Sequence, residues 1–161
     1  ERAEECVFRW LDGARVPSPY SNWGAGQPND LGDQDCTSFV LVLTSGVEPG
    51  EWADRICETE TKPYLCDVAP SGPPVDVDCA ETTAAGERRL VCTTLRTFSA
   101  AESSCVAQGG HLARIDSATE NAALLAAISG VSGVAVWIGG TDGDVEGTWR
   151  WPDGTVFEVM P

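Results

Sequence analysis

The residues able to do chemistry in this chain are few, and their spacing argues against catalysis. The single histidine, His111, stands between Gly110 and Leu112 at the end of a helical stretch, a position that suits a structurally satisfied ring better than a general base. No Ser, Thr or Cys nucleophile has a base and an orienting group at a recognisable spacing. Asp142 and Asp144, with Glu158 beyond them, are the residue types of a glycosidase pair, but their spacing does not indicate convergence and a turn explains them as well. The seven cysteines contain no C-x-x-C, which leaves little support for a zinc cage or a thiol-disulfide active site. They are expected to form disulfides in an oxidising, extracellular compartment. Binding, not turnover, is the function to look for.

Composition narrows the partners. With 161 residues the chain has room for one domain of ordinary size or two very small ones. Its 25 acids against 10 bases give a formal net charge of −15, so nucleic-acid backbones and anionic membrane surfaces are poor partners, whereas cationic partners or Ca²⁺ suit it. The longest apolar runs, such as Phe39-Val-Leu-Val-Leu43, have the length of a strand, not of a membrane span. Residue 1 is not Met and no signal-peptide pattern follows it, which leads us to expect a processed or excised piece of a secreted protein.

The elements that must position any site divide at a linker. Val68 to Asp78 is rich in Pro and Gly and has no hydrophobic period. Residues 79–161 open with a strand candidate, Arg89 to Thr94, followed by two capping boxes, Ser99-Ala-Ala-Glu102 and Ser117-Ala-Thr-Glu120. The first predicted helix runs to about Gln108 and stops at Gly109-Gly110; the second carries Leu124, Leu125 and Ile128 and stops near Ser129-Gly130. Val134 to Gly139 is a buried strand by composition, and Thr148 to Trp151 alternates. Residues 1–67 read as strand and loop: strands at Cys6 to Trp10, Thr37 to Leu43 and Pro63 to Cys66, and a polar loop from Pro17 to Asp35. One echo links the two parts, Arg9-Trp-Leu-Asp-Gly13 and Arg150-Trp-Pro-Asp-Gly154.

These motifs resemble the C-type lectin-like domain, in halves found at opposite ends of the chain. The first half of that family's pattern is matched by Cys105, Gly109 to Ile115, Glu120, Trp137-Ile-Gly-Gly-Thr-Asp142, Glu146-Gly147 and Trp149-Arg-Trp-Pro-Asp-Gly154. The second is matched by Tyr20-Ser-Asn-Trp23, Gly26-Gln-Pro-Asn-Asp30, Asp35-Cys36, Glu51-Trp-Ala-Asp54, Cys57 and Pro63-Tyr-Leu-Cys66. Residues 1–67 thus resemble the C-terminal half (long loop and last strands), 68–78 the linker, and 79–161 the N-terminal half (first strand, two helices and the Trp-Ile-Gly-Gly strand). The chain is accordingly a window on tandem domains, one permuted domain, or a pair of half-domains completed by neighbouring chains. The duplicated Arg-Trp-x-Asp-Gly argues against simple permutation, because two copies compete for one place in the sheet.

The resemblance implies an α+β fold, with two helices packed on small antiparallel sheets, a long loop region and stabilising disulfides. It pairs Cys36 with Cys57, Cys66 with Cys105 and Cys79 with Cys92, leaving Cys6 unpaired or intermolecular. In sugar-binding members a Ca²⁺ ion needs roughly 6–8 hard oxygens. The matching positions here are Gln27, Asn29, Gln34, Ala53 and Asp54, where a Gln replaces a usual Glu and an Ala a usual Asn, so the sugar site is eroded. Asp30, Asp33 and Asp35 are candidates for an accessory Ca²⁺ site. Trp52, Trp137 and Trp149 belong to the core pattern, and Trp23 is retained with Gln27, Asn29 and Asp54 as a possible ligand contact. The expected function is a non-catalytic extracellular module that binds a glycan or a protein surface. The alternative is a structural subunit of a head-to-tail assembly or filament in which half-domains of neighbouring chains complete each other.

Overall fold

A computed structural model describes residues 20–70, 76–157 and 159; Cys6, Glu158, the strand expected at Cys6 to Trp10 and the Arg9–Gly13 motif lie outside these residues. In chain order the elements are β1 (Cys36–Val40), β2 (Trp52–Arg55), β3 (Lys62–Val68), β4 (Cys79–Ala84), β5 (Glu87–Arg96), α1 (Phe98–Ala107), β6 (Gly110–Leu112), α2 (Ala118–Ile128) and β7 (Ala135–Thr141). The strands form one seven-stranded sheet of order β2-β1-β7-β3-β5-β4, with β6 pairing β3 off that path. The antiparallel groups expected from sequence are joined by a single parallel pairing, Tyr64 opposite Trp137 between β3 and β7. The expected α+β class, with two helices and disulfides, is the one observed.

Strand alternation assigns the two faces. Leu65, Val136 and Ile138 point into a core with Phe39, Trp52, Ile115, Leu124 and Ile128, so α2 covers that face. Tyr64, Cys66 and Trp137, one residue away in the same strands, point into a second core with Leu90, Ala101, Cys105 and Leu112, so α1 covers the other. Both faces are therefore buried along residues 63–66 of β3 and 135–140 of β7, runs that carry no charged residue.

At the second capping box, Ser117 caps the helix as expected by accepting the Glu120 amide, while the Glu120 carboxylate accepts the amide of Asp116, one residue before the cap. At the first, the expected cap does not form. Helix α1 starts two residues earlier than expected, at Phe98, and its cap is Thr97, whose hydroxyl accepts the Ala100 amide. Phe98 packs edge-on against Trp137 at 5.7 Å, and that contact draws the helix start forward. Freed from capping, Glu102 accepts the Leu112 amide at 2.7 Å and faces His111 Nδ1 at 2.6 Å, fixing the chain reversal after α1. The reversal itself needs Gly109, at φ +80°. Thr97→Ala is expected to cost about 1 kcal/mol, and Ser99→Ala under about half that, in paired urea melts.

All three disulfides join the cysteines that the resemblance paired. Cys66–Cys105 bonds the segment before the linker to the one after it within a single chain.

Candidate functional site

The candidate site lies where the loop before β1 meets the loop after β7. Asp142 follows directly on β7, and its amide donates to the Asp35 carbonyl at 3.2 Å, so backbone pairing alone brings two acids 107 positions apart in the chain side by side. Carboxylate oxygens of Asp30, Asp35 and Glu146 all lie within 4.8 Å of one another. Asp142 is 4% exposed; its Oδ2 accepts the Gly147 amide at 2.9 Å, and its buried Oδ1 has no hydrogen-bond partner. Asp35 Oδ1 is likewise buried and unpartnered.

Four acids held this closely disfavour their own ionisation. Burial, reinforced by the charges of Glu146 and Asp35 and opposed by the Gly147 amide, pushes Asp142 up to about 6. Asp35 is also raised, by burial and then by Asp33 and Asp30. A group whose folded pKa is raised contributes stability that is complete below its unfolded pKa and lost as pH rises through the folded value. With divalent cations chelated, the fold is therefore expected to lose up to about 3 kcal/mol through Asp142 between about pH 4 and 7. Asp67, raised chiefly by burial, adds in the same direction. Asp153 is lowered, so the stability it contributes is lost only below the ordinary carboxylate range, outside this window. Thermal melts in chelator at pH 5 and pH 7 check the sign; a midpoint that rises with pH contradicts it.

The residues that the resemblance matched to a sugar-type site form a second group, around Asp54. This carboxylate is fully buried in β2, and its Oδ2 accepts the Asn29 and Asp30 amides at 2.7 and 2.6 Å. Asn29 Oδ1 and Gln34 Oε1 both accept the Leu31 amide, at 3.1 and 3.2 Å, and Asp30 Oδ1 accepts the Gln34 amide. Asp30 and Asp33 sit at φ 47° and 70°, a strained backbone that such local bonds hold. Gln27 Oε1 and Asp54 Oδ1 are the two oxygens here that are buried and unpartnered. Ala53 is fully buried and its carbonyl accepts the Ser38 hydroxyl.

The structure thus brings Asp30 and Asp35 together with two acids that sequence reasoning did not place in a metal site, Asp142 and Glu146. It gathers Asn29, Gln34 and Asp54 into a hydrogen-bonded loop, which the side-chain oxygen of Gln27 does not join. The available signal was Asp142 and Glu146 four residues apart directly after a buried strand, a weak one in a chain with 25 acids. Trp23, retained as a ligand contact, is half-buried: it packs 4.7 Å from Trp149 and 6.1 Å from Trp52. Trp52, Trp137 and Trp149 are buried as expected. His111 is exposed and faces Glu102.

The Lectin C-type domain family matches residues 94–160, a stretch that contains Asp142 and Glu146 but not the loop from Gln27 to Asp54. Human C-type lectin domain family 4 member F is 49% identical over 59 residues, which is 37% of this chain and 10% of that protein. The perlucin-like protein of Mytilus galloprovincialis is 36% identical over 62 residues, 38% of this chain and 36% of that one. The type-2 ice-structuring protein of Brachyopsis segaliensis is 44% identical over 62 residues, 38% and 34% respectively. The chain therefore spans between a tenth and about a third of these relatives. No solved structure matches it. The two helices, the mixed sheet and the three disulfides are those of an α+β, disulfide-stabilised C-type lectin-like fold.

Proposed function

We propose that this chain is a non-catalytic, secreted recognition module. Its loop surface, braced by one Ca²⁺ at Asp30, Asp35, Asp142 and Glu146, binds a glycan or a protein surface. One observation carries the reading: the unpartnered, buried oxygens of Asp35 and Asp142 lie beside two further carboxylates. Among the described residues no cation pairs with this set, which suits a hard divalent ion that would supply charge and tie the loop before β1 to the loop after β7. The Asp54 group supports a different role. Its oxygens mostly accept loop amides and, apart from Asp30, which the first site shares, it offers a single carboxylate, too little charge to hold an ion by itself, so the sugar-type site is eroded. The names of the relatives include both a lectin and an ice-structuring protein, so the ligand is not fixed by the fold. Three disulfides support an oxidising, extracellular setting, and no helix among the described residues is long and apolar enough to cross a membrane.

We also read the chain as carrying its two half-domains in reversed order, residues 1–67 before 79–161 with 68–78 between. The intrachain Cys66–Cys105 bond and the pairing of β3 with both β5 and β7 support this.

Calorimetric titration of Ca²⁺ into the chelator-treated chain at pH 7.5 tests the metal reading. One site is expected, with Kd on the order of 10⁻⁴–10⁻³ M. Asp142→Asn should weaken it at least about tenfold, while Gln27→Ala should leave it within about twofold. An ion lost with Gln27→Ala and kept with Asp142→Asn places it at the other group. A glycan and protein array probed with and without Ca²⁺ then tests recognition, and binding to neither class overturns it.

A further inference from the structure

The two outer strands of the sheet, β2 and β4, are treated differently by the rest of the chain. Beyond β2 the long loop closes the edge: the Trp52 amide donates to the Asn22 carbonyl at 2.7 Å, and the Gly24 amide to the Trp52 carbonyl at 2.9 Å. Beyond β4 no described residue does the same, and strand geometry says which groups are left open there. The Thr93 amide donates to the Asp78 carbonyl at 3.0 Å, in the register of the β4–β5 ladder. Bonded pairs alternate along an antiparallel ladder, so Ala80, Thr82 and Ala84 bond β5, while Cys79, Glu81 and Thr83 turn their backbone groups away from it. The Cys79 amide is taken by the Asp76 carbonyl at 3.2 Å; the amides and carbonyls of Glu81 and Thr83 have no partner among the described residues. Nor does β4 carry the usual protection of an outer strand, since it has no Pro, no Lys and no bulge, and Glu81 is its one charge.

A cleft of about 550 Å³ lies beside this edge. Ala80 and Thr82 share a face with Ala84, which packs in the core under α2, so they point toward α2 and line the cleft with Val91. Ala127, Gly130 and Val131, at and just beyond the end of α2, line the other side. None of these six side chains is larger than Val, so the helix end and the hairpin leave room between them. Glu81 points to the opposite face, where its half-exposed carboxylate lies 2.9 Å from Arg88.

We propose that β4 accepts an extended segment of a partner protein as a further strand, and that the segment carries an apolar residue on each side of a lysine or arginine. The cation stands opposite Glu81, exchanges both backbone bonds with it and meets its carboxylate on the same face. The two apolar residues stand opposite Ala80 and Thr82 and project into the cleft, which has room for side chains of valine or isoleucine size. The net charge of −15 favours a cationic segment over a neutral one. This surface lies three strands from β7, so it and the metal site stand or fall separately.

The test uses the full chain, ¹⁵N-labelled, and a heptapeptide of alternating valine and lysine blocked at both ends. In the peptide-free chain the Glu81 and Thr83 amides are expected to exchange at least about tenfold faster than that of Thr82, which bonds β5. Equal protection means that the edge is already covered, and the proposal falls. Added peptide should shift the amides of residues 80–84 and 127–132 saturably. Methylating the lysine backbone nitrogens of the peptide should weaken binding at least about tenfold. Thr83→Pro should do the same while keeping the hairpin, because that amide is outside the ladder. Ala127→Leu, at an exposed helix position where the fold has no need of alanine, should also do so by filling the cleft. Shifts centred on residues 142–146 would mean simple attraction of the peptide to the metal-site acids, and no saturable shift would mean no binding; either overturns the proposal. So does a dimer of the free chain that Thr83→Pro dissociates, since a second copy then takes the edge.

Discussion

Replacing Arg89 with Met is expected to destabilise the fold by about 3–5 kcal/mol, enough to leave a domain of this size marginal. Arg89 is fully buried in β5. Its Nε bonds Asp67 Oδ1 at 2.6 Å, and its Nη2 meets Glu120 Oε1, the Arg114 carbonyl at 3.2 Å and the more exposed Glu87 at 3.2 Å. The same carboxylates are spent a second time: Asp67 Oδ2 accepts the Arg114 amide at 2.8 Å, and Glu120 Oε2 accepts the Asp116 amide at 2.7 Å. One guanidinium thereby ties β3, β5, the segment that follows β6 and the first turn of α2. Removing it strands the buried Glu120 carboxylate beside the partly buried Asp67, and the cost is that of unpaired charge rather than of lost packing. Asp67, already raised by burial with only Arg89 and the Arg114 amide opposing, would take up a proton more readily, so the variant should recover stability at pH 5 relative to pH 7. Arg89→Met combined with Asp67→Asn and Glu120→Gln should regain most of the loss, because the stranded charges go with it. A single-variant loss under about 1.5 kcal/mol in urea titrations would remove the network from the account of stability.

That network also marks where sequence reading stops. Ser117 and Glu120 were legible as a cap because a helix start is a local event, decided within four residues. Ser99 and Glu102 carry the same signature and do something else, because Phe98 finds Trp137 and the start shifts to Thr97. Cysteine pairing and the core tryptophans followed from a resemblance spread over short motifs, each of which is read within its own segment. The acids behaved differently. Asp30 and Asp35 were singled out because they crowd one loop, but Asp142 and Glu146 reach them only through a backbone bond between segments distant in the chain, which no periodicity reports. Arg89 is one of ten cations in the sequence, and nothing local distinguishes a buried one from a solvated one.

Of the three disulfides, Cys66–Cys105 should matter most, and its loss should approach that of Arg89. In the loop-entropy description the stabilisation grows with the length of chain closed. The separations are 39 residues for Cys66–Cys105, 21 for Cys36–Cys57 and 13 for Cys79–Cys92. These correspond to about 4, 3.3 and 3 kcal/mol in that description. The smallest is further reduced in practice, since Cys79 and Cys92 are opposed residues of one antiparallel hairpin whose ends lie close together without a bond. Cys66–Cys105 has a second role that loop length does not capture. Cys66 lies in β3, the central strand that pairs with β5, β6 and β7, and Cys105 is fully buried in α1. The bond therefore clamps the helix on one face of the sheet to the strand that joins the segment before the linker to the segment after it. The paired variant Cys66→Ala/Cys105→Ala should lose about 4 kcal/mol in urea at an m-value near that of the wild type, and Cys79→Ala/Cys92→Ala distinctly less. A fall in m for the first variant alone would mean that the two segments unfold separately once the clamp is gone, so that the linker holds them in one chain but not in one cooperative unit.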